Sequence, residues 1–277
     1  MWDSPSQRPE HFSLNPYSSL SEGLVFAGLG GGGCAGSLRY EDSSWYEKHG
    51  TLTNMDPVTD WVWDSTLDRF VIDMDGSSDF IAIPRITMPH WTFSLWVKLA
   101  SNVTSDAGIF GYDGAFQRWL DVLDGNVWRI AVQAGVVIYG NTSLDLRDTL
   151  AYVTCTYDGS QIRLYLNGAA DGATAVANGT VTTDIIGSTG PTVKKCTGQI
   201  TDPLIYNRAL SPSEIRELAD PSNHMLSGLI LPPKRKYYRA APIVDYDTRG
   251  DIWCTSNVGG TAKRFKIFDY SASEVWA

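Results

Sequence analysis

The chain has 277 residues, of which 43% are hydrophobic and 19% charged, and it carries a formal net charge of −9. Those fractions are typical of a soluble globular protein, and the length suits one large β domain or two ordinary ones with a core that needs no staples. The acidic balance speaks against general binding to nucleic acid or anionic membranes, and no run approaches the ~18 apolar residues of a membrane span.

Residues 1–22 are polar, rich in Pro and Ser and without hydrophobic periodicity, and read as an arm. The start, MWDSPSQRPE, lacks the basic residues, apolar stretch and small-residue cleavage site of a secretory signal peptide. The apolar run Leu24-Val25-Phe26 predicts a strand, followed by Gly30-Gly31-Gly32-Gly33. No Lys-Ser/Thr follows to grip phosphate and magnesium, so this loop is read as surface structure rather than as a nucleotide site.

Strand-like runs separated by turn signals then recur. The turns are Asp75-Gly76, Asp113-Gly114, Asp124-Gly125, Asp158-Gly159, Asn167-Gly168 and Asn178-Gly179. Asp-Gly and Asn-Gly supply the positive φ that tight hairpins need, so the pattern predicts an antiparallel meander or Greek key. Its clearest part is AYVTCTYDGSQIRLYLNG over 151–168. A strand and a short helix close the pattern. Ser211 is the expected N-cap, Pro212 suits the first turn, Glu214 completes a capping box and Pro221 ends the helix.

Residues 222–277 form a tail with strand-like pieces at 242–246 and 264–268, too aromatic for a disordered linker. From residue 223 on, eight Lys/Arg outnumber five Asp/Glu, so the rest of the chain carries −12. A basic tail on an acidic body suits attachment to an acidic neighbour. Cys34, Cys155, Cys196 and Cys254 lie far apart without metal-ligand spacing. Cys155, inside a predicted strand, reads as a buried free thiol, and the chain as one made in a reducing cytoplasm.

Several runs resemble the laminin-G-like domain of the concanavalin A-like lectin/glucanase superfamily. His49-Gly50-Thr51-Leu52 is similar to the family's "HGTL" strand, residues 71–81 (VIDMDGSSDFI) to its "ldFDGsdDyV" strand, and residues 92–97 (TFSLWV) to its "fTisaWV" strand. The ending, GQITDPLIYNRALSPSEIRELADP, completes the set. The resemblance covers roughly residues 23–221. It implies an all-β, two-sheet antiparallel jelly-roll sandwich with one short C-terminal helix, flanked by the 1–22 and 222–277 extensions. It also implies a sugar-binding or adhesive role.

Many relatives bind calcium near the first strand and the last long strand. Thr201 stands here where the family pattern places an Asp ligand, which leaves Asp202 and Asp42 as candidates; the expectation is no obligatory metal or other cofactor. Glucanases of this fold carry Glu-x-Asp-x-x-Glu on one strand, because glycosidic cleavage needs two carboxylates at a set separation. None of the seven Glu residues fits that pattern. No HExxH or Gly-x-Ser-x-Gly motif is present either, so the chain is read as non-enzymatic.

Ten Trp and thirteen Tyr are many. Most are expected in the core, and the rest as platforms whose faces stack on sugar rings. The candidate glycan-binding residues are Trp45, Trp61, Trp63, Trp119 and Asp121. Alternation places Trp61 and Trp63 on one strand face. Together these features give the expectation of a virion structural protein assembled in a host cytoplasm, of the phage head-decoration, spike or tail-appendage kind. The sandwich would serve adhesion or host-glycan contact. Residues 1–22 and 222–277 would bind other virion proteins or copies of the chain, with no nucleic-acid partner and no membrane insertion. The alternatives are a stand-alone lectin and a glycosidase with an atypical site.

Overall fold

The computed structural model describes residues 14–31, 37–67, 69–103, 107–112, 118–123, 127–132, 136–139, 146–172, 175–176, 180–190, 193–221, 228–230, 243–246, 252–258, 261–269 and 274–275. By its contacts the chain falls into two units, Met1–Pro233 and Lys234–Ala277.

The first unit is a sandwich. In chain order its strands are β1 (Leu24–Ala27), β2 (Arg39–Tyr40), β3 (Gly50–Thr53), β4 (Trp61–Asp64), β5 (Arg69–Asp75), β6 (Phe80–Met88), β7 (Trp91–Leu99), β8 (Ala107–Gly111), β9 (Arg118–Leu123), β10 (Val127–Val132), β11 (Val136–Tyr139), β12 (Ala151–Tyr157), β13 (Gln161–Leu166), β14 (Ala169–Ala170), β15 (Ala175–Val176), β16 (Val181–Ile186), β17 (Ser188–Gly190), β18 (Val193–Lys195) and β19 (Thr197–Tyr206). Helix α1 spans Pro212–Leu218. Sheet A runs β14-β13-β12-β7-β19-β5-β4, with β1 also on β19 and β15 on β13; sheet B runs β11-β10-β9-β8-β16-β6-β3-β2. The pairs are antiparallel, as the turn chemistry predicts.

Local signals set the hairpins. Asn167 and Gly168 both have positive φ, 49° and 80°, as a two-residue primed turn between β13 and β14 requires. At the β12–β13 turn, the Asp158 carboxylate accepts from the Ser160 and Gln161 N–H groups at 2.9 and 2.8 Å. The turn signals at 113–114, 124–125 and 178–179 lie outside the described residues, as do residues 32–36 of the Gly-rich loop.

Period-two alternation then sorts the side chains. Phe93, Leu95 and Val97 of β7, with Val153, Cys155 and Tyr157 of β12, face Ile81, Ile86 and Met88 of sheet B in the main core. Cys155 and Cys196 are free, buried thiols there. Burial holds the Cys155 thiol well above its ordinary pKa and pushes Cys196 up to about 12.

The other face of sheet A is apolar too, with Trp96, Tyr152, Leu204 and Tyr206 in a second cluster. It is covered by segments from both ends of the unit: Leu14 and Leu20, then Ile215 and Leu218 of α1, and Leu229 and Ile230. Leu14 bridges to Ile230, and Asn15 N–H donates to the Leu229 carbonyl at 2.8 Å. Arg208 ties the cover together, donating to the Glu22 and Ser19 carbonyls at 2.7 and 2.6 Å and to the Glu214 carboxylate at 2.6 Å. The predicted capping box is present, with Ser211 and Glu214 exchanging hydrogen bonds. Burying Ile215 and Leu218 contributes about 1.5–3 kcal/mol each relative to exposure.

The second unit is a four-stranded antiparallel sheet of β20 (Ile243–Tyr246), β21 (Ile252–Val258), β22 (Thr261–Asp269) and β23 (Glu274–Val275), paired in chain order. The strand-like runs of the tail fall in β20 and β22. Cys254 is a position on β21.

Candidate functional site: an aromatic edge of the sandwich

Strand β4 ends sheet A and β2 ends sheet B. Their side chains meet: Tyr40 of β2 stacks on Trp61 of β4 with ring centroids 6.3 Å apart and planes 17° from parallel. Phe26 of β1 also stacks on Tyr40, with centroids 6.3 Å apart and planes 11° from parallel. The Tyr40 hydroxyl donates to the Gly28 carbonyl at 3.2 Å. A Cβ on Gly28 would sit 2.3 Å from the Tyr40 ring, so the close approach needs glycine.

Trp61 is therefore a core residue. It is 6% exposed and belongs to the main cluster, which removes it from the candidate sugar platforms. The physical reason is the facing Tyr40, which covers the inner end of the β4 face. Trp63, two residues on, reaches the rim: it is 36% exposed and sits edge-on to Phe70, 5.0 Å between centroids.

Trp45 is 59% exposed and its neighbour Tyr46 56%. Both project from the loop between β2 and β3, which the buried Asp42 organises. Its Oδ1 accepts from the Ala27 and Ser44 N–H groups, each at 2.8 Å. Its Oδ2 accepts from the Ser44 hydroxyl and the Lys48 N–H, each at 2.7 Å. Ser43 N–H also donates to the Ala27 carbonyl at 2.8 Å. This loop is pinned to β1. Tyr46 was not among the sequence candidates; its only local signal is its place beside Trp45 in a stretch without alternation.

Trp119 and Asp121 are positions on β9, and their side chains lie outside the described residues. In sheet B, β9 is separated from β2 by β8, β16, β6 and β3. The exposed aromatics thus lie on the β2–β3 loop (Trp45, Tyr46) and on edge strand β4 (Trp63), while Trp119 and Asp121 are positions on β9.

Acidic groups collect at the β5–β6 turn. The Asp75 carboxylate accepts from the Ser77, Ser78 and Asp79 N–H groups at 2.7, 3.0 and 3.2 Å. Burial alone would raise Asp75, but these bonds outweigh it and lower its pKa. Burial raises Asp79, and it raises Asp73 with help from the Asp60 charge. Lys195 lies 4.1 Å over the Phe80 ring, and burial lowers its pKa.

The calcium positions implied by resemblance do not fit a metal. The Thr201 hydroxyl donates to the Phe70 carbonyl at 3.0 Å. Asp202 Oδ2 is ion-paired with the buried Arg69, and its Oδ1 accepts from the Gly30 N–H at 2.5 Å. Asp42 is saturated by hydrogen-bond donors. Among the described residues no group of three His, Cys, Asp or Glu side chains is arranged to hold a metal ion.

Two antiparallel sheets packed face to face define a lectin/glucanase-like sandwich. The chain belongs to the concanavalin A-like lectin/glucanases superfamily: the Laminin_G_3 family profile matches residues 75–216, more than half of the chain. No curated protein sequence matches it significantly. Among solved structures it is similar to Trypanosoma rangeli sialidase, at TM-score 0.53 and 20% identity over 74% of this chain and 33% of that one. Domain 4 of AbnA, a GH43 extracellular arabinanase from Geobacillus stearothermophilus in complex with arabinotriose, aligns at TM-score 0.50 and 19% identity over 71% of this chain and 98% of that domain. HCR/D, solved as a point mutant, aligns at TM-score 0.54 and 16% identity over 72% and 51%. At these identities the likeness is one of fold, and the chain spans about a third of the sialidase.

Proposed function

We propose that this chain is a non-catalytic glycan-contacting protein, the lectin-like head of a virion component. The observation that carries the glycan reading is the exposure of Trp45, Tyr46 and Trp63, large aromatic side chains kept at the surface of a well-packed sandwich. An aromatic face presented to solvent from a braced edge strand or pinned loop suits stacking on a sugar ring, since apolar and aromatic walls dominate small-molecule sites. The similar arabinanase domain holds arabinotriose, and the similar sialidase has been solved with sialic acid. The best-placed carboxylates have structural work instead: Asp42 shapes a loop, Asp202 pairs with Arg69 and Glu214 caps α1.

The virion reading draws on the small second sheet, which is a separate unit with a basic lead-in at 234–236, and on two buried thiols left unpaired. Residues 1–22 and 222–277 would bind other virion proteins or copies of the chain, and the sandwich would serve glycan contact. A glycan array probed with the wild type and with Trp63→Ala tests the first half. Binding that Trp63→Ala weakens supports it, and equal binding by both, or none, overturns it. Quantitative mass spectrometry of purified particles tests the second. Many copies per particle support it; a glycan-binding chain found only in cell extract makes it a stand-alone lectin.

A further inference from the structure

The buried ion pair at the β19 bulge goes beyond that reading and does not depend on it. Strand β19 changes neighbours midway: Thr197–Ile200 pair with β5, and Leu204–Tyr206 pair with β1. Between them the register against β7 shifts by one residue, from Thr201↔Trp96 to Leu204↔Ser94. Asp202 sits in this bulge with φ 50°, a left-handed conformation uncommon for a non-glycine residue. Its carboxylate is thereby turned into the junction where β5 begins and β1 ends.

A carboxylate buried there must be paired or it is strongly destabilising. Arg69, the first residue of β5, supplies the charge through Nη1, and its Nε donates to the Leu67 carbonyl at 3.0 Å. The other carboxylate oxygen takes the Gly30 N–H, which fixes the turn that follows β1. A calcium ion needs six to eight oxygen ligands. Here the groups directed at Asp202 and Asp42 are N–H and O–H donors, whose positive ends would repel a cation.

We propose that Arg69 is a built-in cation: it neutralises Asp202 and orders the β1–β5–β19 junction, so this edge needs no metal, unlike the calcium-binding sandwiches the chain resembles. The planar fork of a guanidinium suits a fixed carboxylate. Folding of the edge is then independent of calcium supply.

The test is thermal unfolding of the full chain in calcium and in EDTA, together with a double-mutant cycle of Arg69→Met and Asp202→Asn. The wild type is expected to melt at the same temperature in both buffers. Arg69→Met should lower Tm by on the order of 10 °C, because it strands a buried carboxylate. Adding Asp202→Asn to it should recover part of that loss. A calcium-dependent rise in the wild-type Tm that Asp202→Asn abolishes would overturn the proposal, as would simple additivity of the two substitutions. If Arg69→Met does not fold, the calcium comparison between wild type and Asp202→Asn still decides.

Discussion

Tyr40 and Trp61 stack across the gap between the two sheets, 6.3 Å between centroids, and close the sandwich where both sheets end. The contact splits two tryptophans that share one strand face. Trp61 lies under Tyr40, while Trp63 lies beyond it, against Phe70 alone among the aromatic rings described. Stability and recognition should therefore separate cleanly along β4.

Trp61→Ala is expected to cost about 3–5 kcal/mol of stability, the range for truncating a large buried aromatic. Trp63→Ala should cost less than about 1 kcal/mol, as for a surface position. Trp63→Ala should instead lower glycan affinity roughly tenfold, the weight of an aromatic anchor. Urea denaturation and glycan titration of the two variants read both effects.

The α1 cap makes a signed prediction for acid. Burial would raise Glu214, but hydrogen bonds from Arg208 and Ser211 outweigh it and lower its pKa from 4.5 to about 2. A carboxylate depressed in the folded state adds stability that is complete above its unfolded pKa and is lost as pH falls through the folded one. The stability difference between wild type and Glu214→Gln should therefore be constant above about pH 5, shrink as pH falls and be gone near pH 2. Urea midpoints measured along a pH series test it. A difference that grows toward low pH would contradict it.

The β17–β18 hairpin lies directly on β8, and two glycines permit this. A Cβ on Gly111 would fall 2.4 Å from the Ser188 carbonyl oxygen and 2.5 Å from the Thr189 Cα, both backbone atoms. Gly111→Ala must push the hairpin outward. The expected cost is about 1–3 kcal/mol, as for overpacking, with faster amide exchange across 188–195 as the local readout.

Much of the sandwich is legible in local chemistry. The Asp158-Gly159 and Asn167-Gly168 turns, the alternation in β7 and β12 and the Ser211–Glu214 box each depend on a few adjacent residues. Each behaves in the fold as its own φ/ψ preference and spacing require. The family runs at 49–52, 71–81 and 92–97 fall on β3, on β5 and β6, and on β7 for the same reason.

The candidate site was legible only in part. Alternation puts Trp61 and Trp63 on one face but carries no information about what faces them. That depends on β2 ending sheet B opposite β4, a long-range pairing. Arg69 and Asp202 are 133 residues apart, and a charged residue taken alone reads as surface. Only the bulge in β19, where one sheet neighbour gives way to another, brings the two together away from water. Similarly, residues 14–22 look like a free polar arm until the bare apolar face of sheet A supplies a reason for Leu14 and Leu20 to be buried. The sequence by itself determined the elements, because turns, caps and alternation are energies of neighbours along the chain. The tertiary structure decided which aromatics meet solvent and which charges meet each other, because burial is an energy of surfaces that come together only after the sheets have paired.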